Sequence, residues 1–134
     1  MWIIYMTCFW DGIISSMNKD DLNILGVSVR PSPSELVNIL KNKNIKTLNI
    51  NWEGTPLRFN EIEENFIHIN DFSNKSIQNG YLCSICDPFL CLLVELLKVN
   101  INHTYLSHTV HYTVTNPRKT FFYMSNRGHF WKQK

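Results

Sequence analysis

Two residues near opposite ends of the chain have the types that nucleophilic catalysis needs. Cys8 stands in Thr7-Cys8-Phe9-Trp10-Asp11, where a helix is expected to begin. A thiol there feels the positive end of the helix macrodipole and the unbonded first-turn amides, and both favour its thiolate. His129 follows a glycine and precedes Phe130 and Trp131. A thiolate beside an imidazole is the minimal pair for attack on an acyl carbon, the histidine moving the proton. Taken singly, each residue has a plainer reading. Cys8 is then a small buried hydrophobe, and His129 a turn or edge-strand histidine.

The other thiols and imidazoles offer less. Cys83-Ser84-Ile85-Cys86, followed by Cys91, supplies one metal-ligand pair, whereas a structural zinc site takes four ligands, usually as two pairs. Cys91 falls inside an apolar run, so a loop pair plus a core thiol is expected, with no metal and no cofactor. A redox role for the pair lacks a surrounding βαβ pattern. His103, His108 and His111 fit no common ligand spacing. On an alternating strand His108 and His111 are expected on opposite faces of a sheet. His68, between Ile67 and Ile69, is expected to face solvent. Glu61, Glu63 and Glu64 read as a solvated charge run, or alternatively as an acidic patch for a basic partner. No P-loop, dinucleotide-binding glycine motif, HExxH or G-x-S-x-G is present.

The elements that must position Cys8 and His129 follow from periodicity. Residues 8–17 predict a first helix, with Phe9 and Ile13 on one stripe and Cys8, Ile14 and Met17 on another. Gly12 weakens it by about 1 kcal/mol relative to alanine. Ser32-Pro33-Ser34-Glu35 is a capping box with proline at the first helical position, opening a helix to about residue 42. Leu48, Ile50 and Trp52 alternate with polar neighbours, as in a half-buried strand, and residues 66–70 suggest another short strand. Asp87-Pro88 starts a helix over 87–98 that is apolar almost all round and therefore central. Strands are expected at 99–105, 108–115 and 120–125, with turns at 116–119 and 126–128. Helices first and an antiparallel meander last predict an α+β domain.

Length and composition bound the answer. The 134 residues make one domain, 1–134. Apolar residues are 44% and charged residues 18%, which excludes a disordered chain. Alanine is absent while asparagine (16) and isoleucine (14) abound, as in a protein from an A/T-rich, for example viral, genome. Residues 1–95 hold all 11 acids and seven bases, whereas residues 96–134 hold six bases and no acid. Such asymmetry marks either a nucleic-acid surface or, more simply, a sheet edge kept soluble by lysines. The apolar start at 1–10 lacks a basic region and a cleavage site, and the run 89–97 is too short to span a bilayer. An intracellular protein with reduced cysteines and no membrane is expected.

The segment around Cys8 resembles the nucleophile segment of ovarian-tumour (OTU) type and related viral papain-like cysteine proteases. The order of the later elements resembles that family too: Asp87-Pro88-Phe89 opening an apolar helix, Val99-Asn100-Ile101-Asn102 as a strand, then a hairpin ending in Gly128-His129-Phe130-Trp131. The resemblance covers most of the chain in order of elements, and two short segments carry its motifs. It implies a papain-like (OTU-like) α+β fold with helices packed on a small antiparallel sheet. It also implies Cys8 as nucleophile, His129 as general base, and an oxyanion hole from the amides around Thr7 and Cys8. Ubiquitin-like proteins or a viral polyprotein are the substrates it implies. Two positions depart from the family pattern. Tyr5-Met6-Thr7 replaces the usual Asp-Gly-x, and Trp131 stands where an acidic or amide residue often orients the histidine. Asn116, Asn126 and Asp11 are the alternatives for that role. A catalytically inactive protein of the same fold, acting as a structural or binding module, is the second expectation. Nucleic-acid binding through the basic terminal third, with Tyr112, Phe121, Phe122, Tyr123, Phe130 and Trp131 as stacking groups, is the third. Strand alternation is expected to bury about half of those rings.

Overall fold

The computed structural model describes residues 7–78, 83–126 and 129–133. Within them five helices pack on one mixed sheet. The helices are α1 (Cys8–Ser16), α2 (Lys19–Leu25), α3 (Pro33–Asn42), α4 (Phe59–Asp71) and α5 (Cys83–Leu97). The strands are β1 (Ile50–Trp52), β2 (Thr55–Pro56), β3 (Asn100–Tyr105), β4 (His108–Val114), β5 (Thr120–Ser125) and β6 (Phe130–Lys132), and their order across the sheet is β2-β1-β4-β3-β5-β6. The class is α+β, as expected.

The expected antiparallel meander is corrected at one joint. β3 pairs antiparallel with β4, but β5 lies on the other side of β3 and runs parallel to it, Ile101 opposite Phe121 and His103 opposite Tyr123. The cause lies in the 116–119 connection. The Arg118 amide donates to Lys98 O at 2.7 Å and its Nε to Leu97 O at 2.8 Å, while the Asn100 amide donates to Lys119 O at 2.9 Å. These bonds tie the end of the connection to the start of β3, so the chain must leave alongside β3 in the same direction. The far edge of β4 is taken by β1, Ile50 opposite Val114.

Sequence period and burial agree along most elements. Ile50, Ile101, His103, Tyr112, Val114, Phe121, Tyr123 and Phe130 are buried against the helices. Asn102, His111 and Phe122 align across the opposite face. Helix α5 is the core, with Phe89, Leu90, Leu92, Leu93, Val94 and Leu97 wholly buried. It begins four residues before the expected start, at Cys83, so Pro88 sits within the helix rather than in its first turn. An interior proline forfeits one helical hydrogen bond, a loss that burial on both sides outweighs. Consequently Cys83 and Cys86 belong to the helix and not to a loop. Cys86 and Cys91 are buried, and the side chains of residues 83–85 lie outside the described set.

Two further expectations are overturned. Residues 66–70 are not a strand but the end of α4, whose Ile62 and Ile69, two turns apart, face the core. Leu48 is 66% exposed because β1 begins only at Ile50, where its partner Val114 is available, and Trp52, the last residue of β1, is 43% exposed. Helix α2 carries no long apolar stripe. It is fixed instead by a capping box between Asn18 and Asp21 and by Gly26 at φ +83°, a left-handed C-cap that suits glycine. No helix among the described residues is long and apolar enough to cross a membrane.

Candidate active site

Helix α1 starts at Cys8, as its stripes predict, and ends at Ser16, one residue before the expected end, with Met17 as its C-cap. Phe9, Trp10, Ile13 and Met17 are buried, and Phe9 stands edge-on to Phe130 with ring centroids 4.8 Å apart. Trp10 packs edge-on against Phe72 and Phe89, joining α1 to the central helix. These rings anchor α1 across β6. Gly12 permits the approach, since a β-carbon there would stand 3.1 Å from two atoms of the Phe130 ring and 3.7 Å from the Lys132 amide nitrogen. The glycine that weakens the isolated helix is therefore the residue that seats it.

On the other side, β5 and β6 form an antiparallel hairpin, Ser125 opposite Phe130 and Met124 opposite Trp131. The Asn126 amide donates to His129 O at 2.9 Å, closing the ladder at the turn. Residues 127 and 128 of the expected turn lie outside the described residues. His129 is exposed, and its ring lies 5.4 Å from the Trp131 ring at an interplanar angle of 30°.

The seam between α1 and β6 is an open cleft of about 390 Å³ lined by Cys8, Asp11, Gly12, Ser15, His129, Phe130, Trp131 and Lys132. Cys8 and His129, the two sequence-predicted residues, thus line one cavity. Cys8 is half-buried. Thr7 precedes the helix but sets no side-chain cap on the first-turn amides, because its hydroxyl donates to Asp11 Oδ2 at 2.7 Å. Asp11, one of the three alternatives for orienting the histidine, lines the cleft too, whereas Gly12, Ser15 and Lys132 are cleft residues that the sequence did not single out. The signal for Gly12 and Ser15 was their position one and two turns after Cys8 on the same face.

The other titratable groups sit elsewhere. Burial, reinforced by the Asp87 and Glu61 carboxylates, pushes the Cys91 thiol far up, so it is inert in the folded chain. His103 is buried beneath Phe130, its Nε2 2.6 Å from Ser125 Oγ, and burial holds its imidazole down at about 4. His111 Nδ1 lies 2.8 Å from Asn102 Oδ1, and both are on the face away from the helices. His68 is half-buried rather than solvent-facing, and lines a larger cavity of about 480 Å³ with Glu64, Ile67, Asp71 and Phe72. Of the acidic run, Glu61 caps α4 by accepting from the Arg58 amide, and Glu63 pairs with Lys46. Among the described residues no group of three metal-ligating side chains converges.

Three of the six bases in the terminal third pair with buried acids. Lys98 bridges to buried Glu95 at 3.1 Å. Arg118 and Lys119 converge on buried Asp21 at 2.7 and 2.6 Å. Burial alone would raise the Asp21 carboxyl, but the hydrogen bonds from Arg118 and Lys119 hold it below the ordinary carboxylate range. Of the six aromatic residues offered as stacking groups, Tyr112, Phe121, Tyr123 and Phe130 are core, leaving Phe122 and Trp131 exposed. No family model matches the chain, and neither a curated protein nor a solved structure matches it significantly.

Proposed function

We propose that the chain is a papain-like (OTU-like) cysteine hydrolase of peptide or isopeptide bonds, with Cys8 as nucleophile and His129 as general base. One observation carries the reading: residues from opposite ends of the sequence, of the two types the chemistry requires, line one cleft. The Cys8 sulfur attacks the scissile carbonyl and the proton passes to His129. The tetrahedral oxyanion forms beside the first turn of α1, where helix amides and the macrodipole favour negative charge. His129 then protonates the departing amine, leaving an acyl-enzyme that water hydrolyses with the imidazole again as base. A protein substrate, ubiquitin-like or a viral polyprotein, fits an open cleft at a sheet edge.

The second reading, a catalytically silent module of the same fold, draws support from Trp131 at the orienting position. Nucleic-acid binding is the weakest reading, because Lys98, Arg118 and Lys119 are already paired with acids. Labelling with a ubiquitin-based electrophile, or cleavage of a fused polyprotein, separates the first two. The hydrolase is labelled or cleaves, and Cys8→Ala and His129→Ala each abolish it. Absence of labelling and cleavage with a panel of such substrates favours the silent module.

A further inference from the structure

A thiol–imidazole pair works best when a third group orients the imidazole. The imidazole accepts a proton at one ring nitrogen efficiently only when the other is held by an acceptor, which fixes the tautomer and aims the ring. The position two residues after His129 offers Trp131, whose indole nitrogen donates and cannot accept. Its ring lies beside the imidazole at 30°, covering the ring without fixing a nitrogen. Asn126 meets His129 through the main chain.

Asp11 is the carboxylate among the described residues that line the cleft, and Lys132 on β6 is the other charged side chain there. Helical side chains lean toward the N-terminus of their helix, so a carboxylate one turn after Cys8 returns over the turn that carries the thiol. The Thr7 Oγ1 bond to Asp11 Oδ2 at 2.7 Å fixes that direction. One carboxylate oxygen is thereby anchored, on a residue that lines the same cleft as His129.

We infer that Asp11 is the positioning residue for His129, held by Thr7 and accepting the N–H of the imidazole nitrogen turned away from Cys8. The inference rests on the reading of Cys8 and His129 as a pair. It also resolves an apparent conflict of charge. A carboxylate beside a thiolate opposes ionisation, but with an imidazolium between them both anions face the cation.

The test uses the whole chain with isotopically labelled histidine. Nitrogen–carbon correlation spectra give the tautomer of neutral His129, and iodoacetamide gives the alkylation rate of Cys8. In the parent protein one tautomer should predominate. Asp11→Ala should mix the tautomers and slow Cys8 alkylation about tenfold or more. Asp11→Asn, whose amide turns a donor toward the ring, should mix the tautomers and slow alkylation as Asp11→Ala does, and Thr7→Val should give a smaller loss than either. Circular dichroism shows whether each variant is folded, and the exposed Asp11→Asn substitution provides a second measurement should Asp11→Ala unfold. An unchanged tautomer and rate in Asp11→Ala, with His129→Ala still slowing alkylation, would overturn the role of Asp11 and spare the pair. An unchanged rate in His129→Ala would overturn the pair and the inference with it.

Discussion

Gly12 of α1 lies directly against the ring of Phe130, with room for a β-carbon only at 3.1 Å from two ring atoms. That contact decides how near the first turn of α1, with Cys8, comes to the start of β6, with His129. A methyl group at Gly12 gains about 1 kcal/mol of helix propensity but must push the Phe130 ring aside. Gly12→Ala is therefore expected to leave stability nearly unchanged. Gly12→Val adds two methyl groups to the same contact and should cost about 1–3 kcal/mol, read from the urea midpoint. Cys8 alkylation should slow in parallel.

Acid should loosen the fold in two separate windows, and the first belongs to His103. Its folded value is about 4 because burial disfavours the imidazolium, against 6.5 in an exposed state. The unfolded chain then binds the extra proton first, so stability is full above about pH 6.5 and falls as pH drops toward 4. The loss over that span is about 3 kcal/mol. Urea titrations of the parent protein between pH 7 and 4 should show this slope. His103→Gln should be less stable at pH 7 and flatter with pH.

The second window belongs to Asp21. Its folded carboxyl is depressed by Arg118 and Lys119 in spite of burial, so its contribution is present above the unfolded value near 3.8 and disappears as pH falls through the lower folded value. At pH 6, Asp21→Asn should cost about 3 kcal/mol, since two cations lose the buried charge they face. The same substitution should cost less once pH falls below 3.8 toward the lower folded value, and a cost that does not change with pH would contradict the ion-pair account.

Leu93 is wholly buried in α5. Leu93→Asp buries an unpaired carboxylate, at a cost of several kcal/mol against a total stability of about 5–15 kcal/mol. The variant should be unfolded or insoluble by circular dichroism and gel filtration. A folded, soluble variant would show that α5 is not the core.

Much of the scaffold was legible because local rules and tertiary packing agree. The capping box at Ser32 and Glu35 marks the start of α3, and the alternation through Ile101 and Tyr112 marks β3 and β4. What failed needed distant partners. Phe66, Ile67 and Ile69 form an apolar run too short to separate strand from helix, and Ile62, a turn and more upstream, settles it as helix. A turn at Asn116-Pro117 does not say on which side of β3 the chain returns. Arg118, bonded to Leu97, Lys98 and Asp21, does. For the candidate site, residue types and chain order at Cys8 and His129 were readable. The role of Gly12 was not, because it exists only against Phe130.

The central claim is that Cys8 is an activated thiol beside His129, and the most direct measurement is a site-resolved alkylation map. The folded protein is treated with limiting iodoacetamide near neutral pH and all four cysteines are quantified by mass spectrometry. Cys8 should be modified first, Cys86 and Cys91 should be protected by burial, and His129→Ala should slow Cys8 toward the rate of an ordinary exposed thiol. Modification of Cys83 or Cys86 ahead of Cys8, or a Cys8 rate indifferent to His129→Ala, would contradict the account.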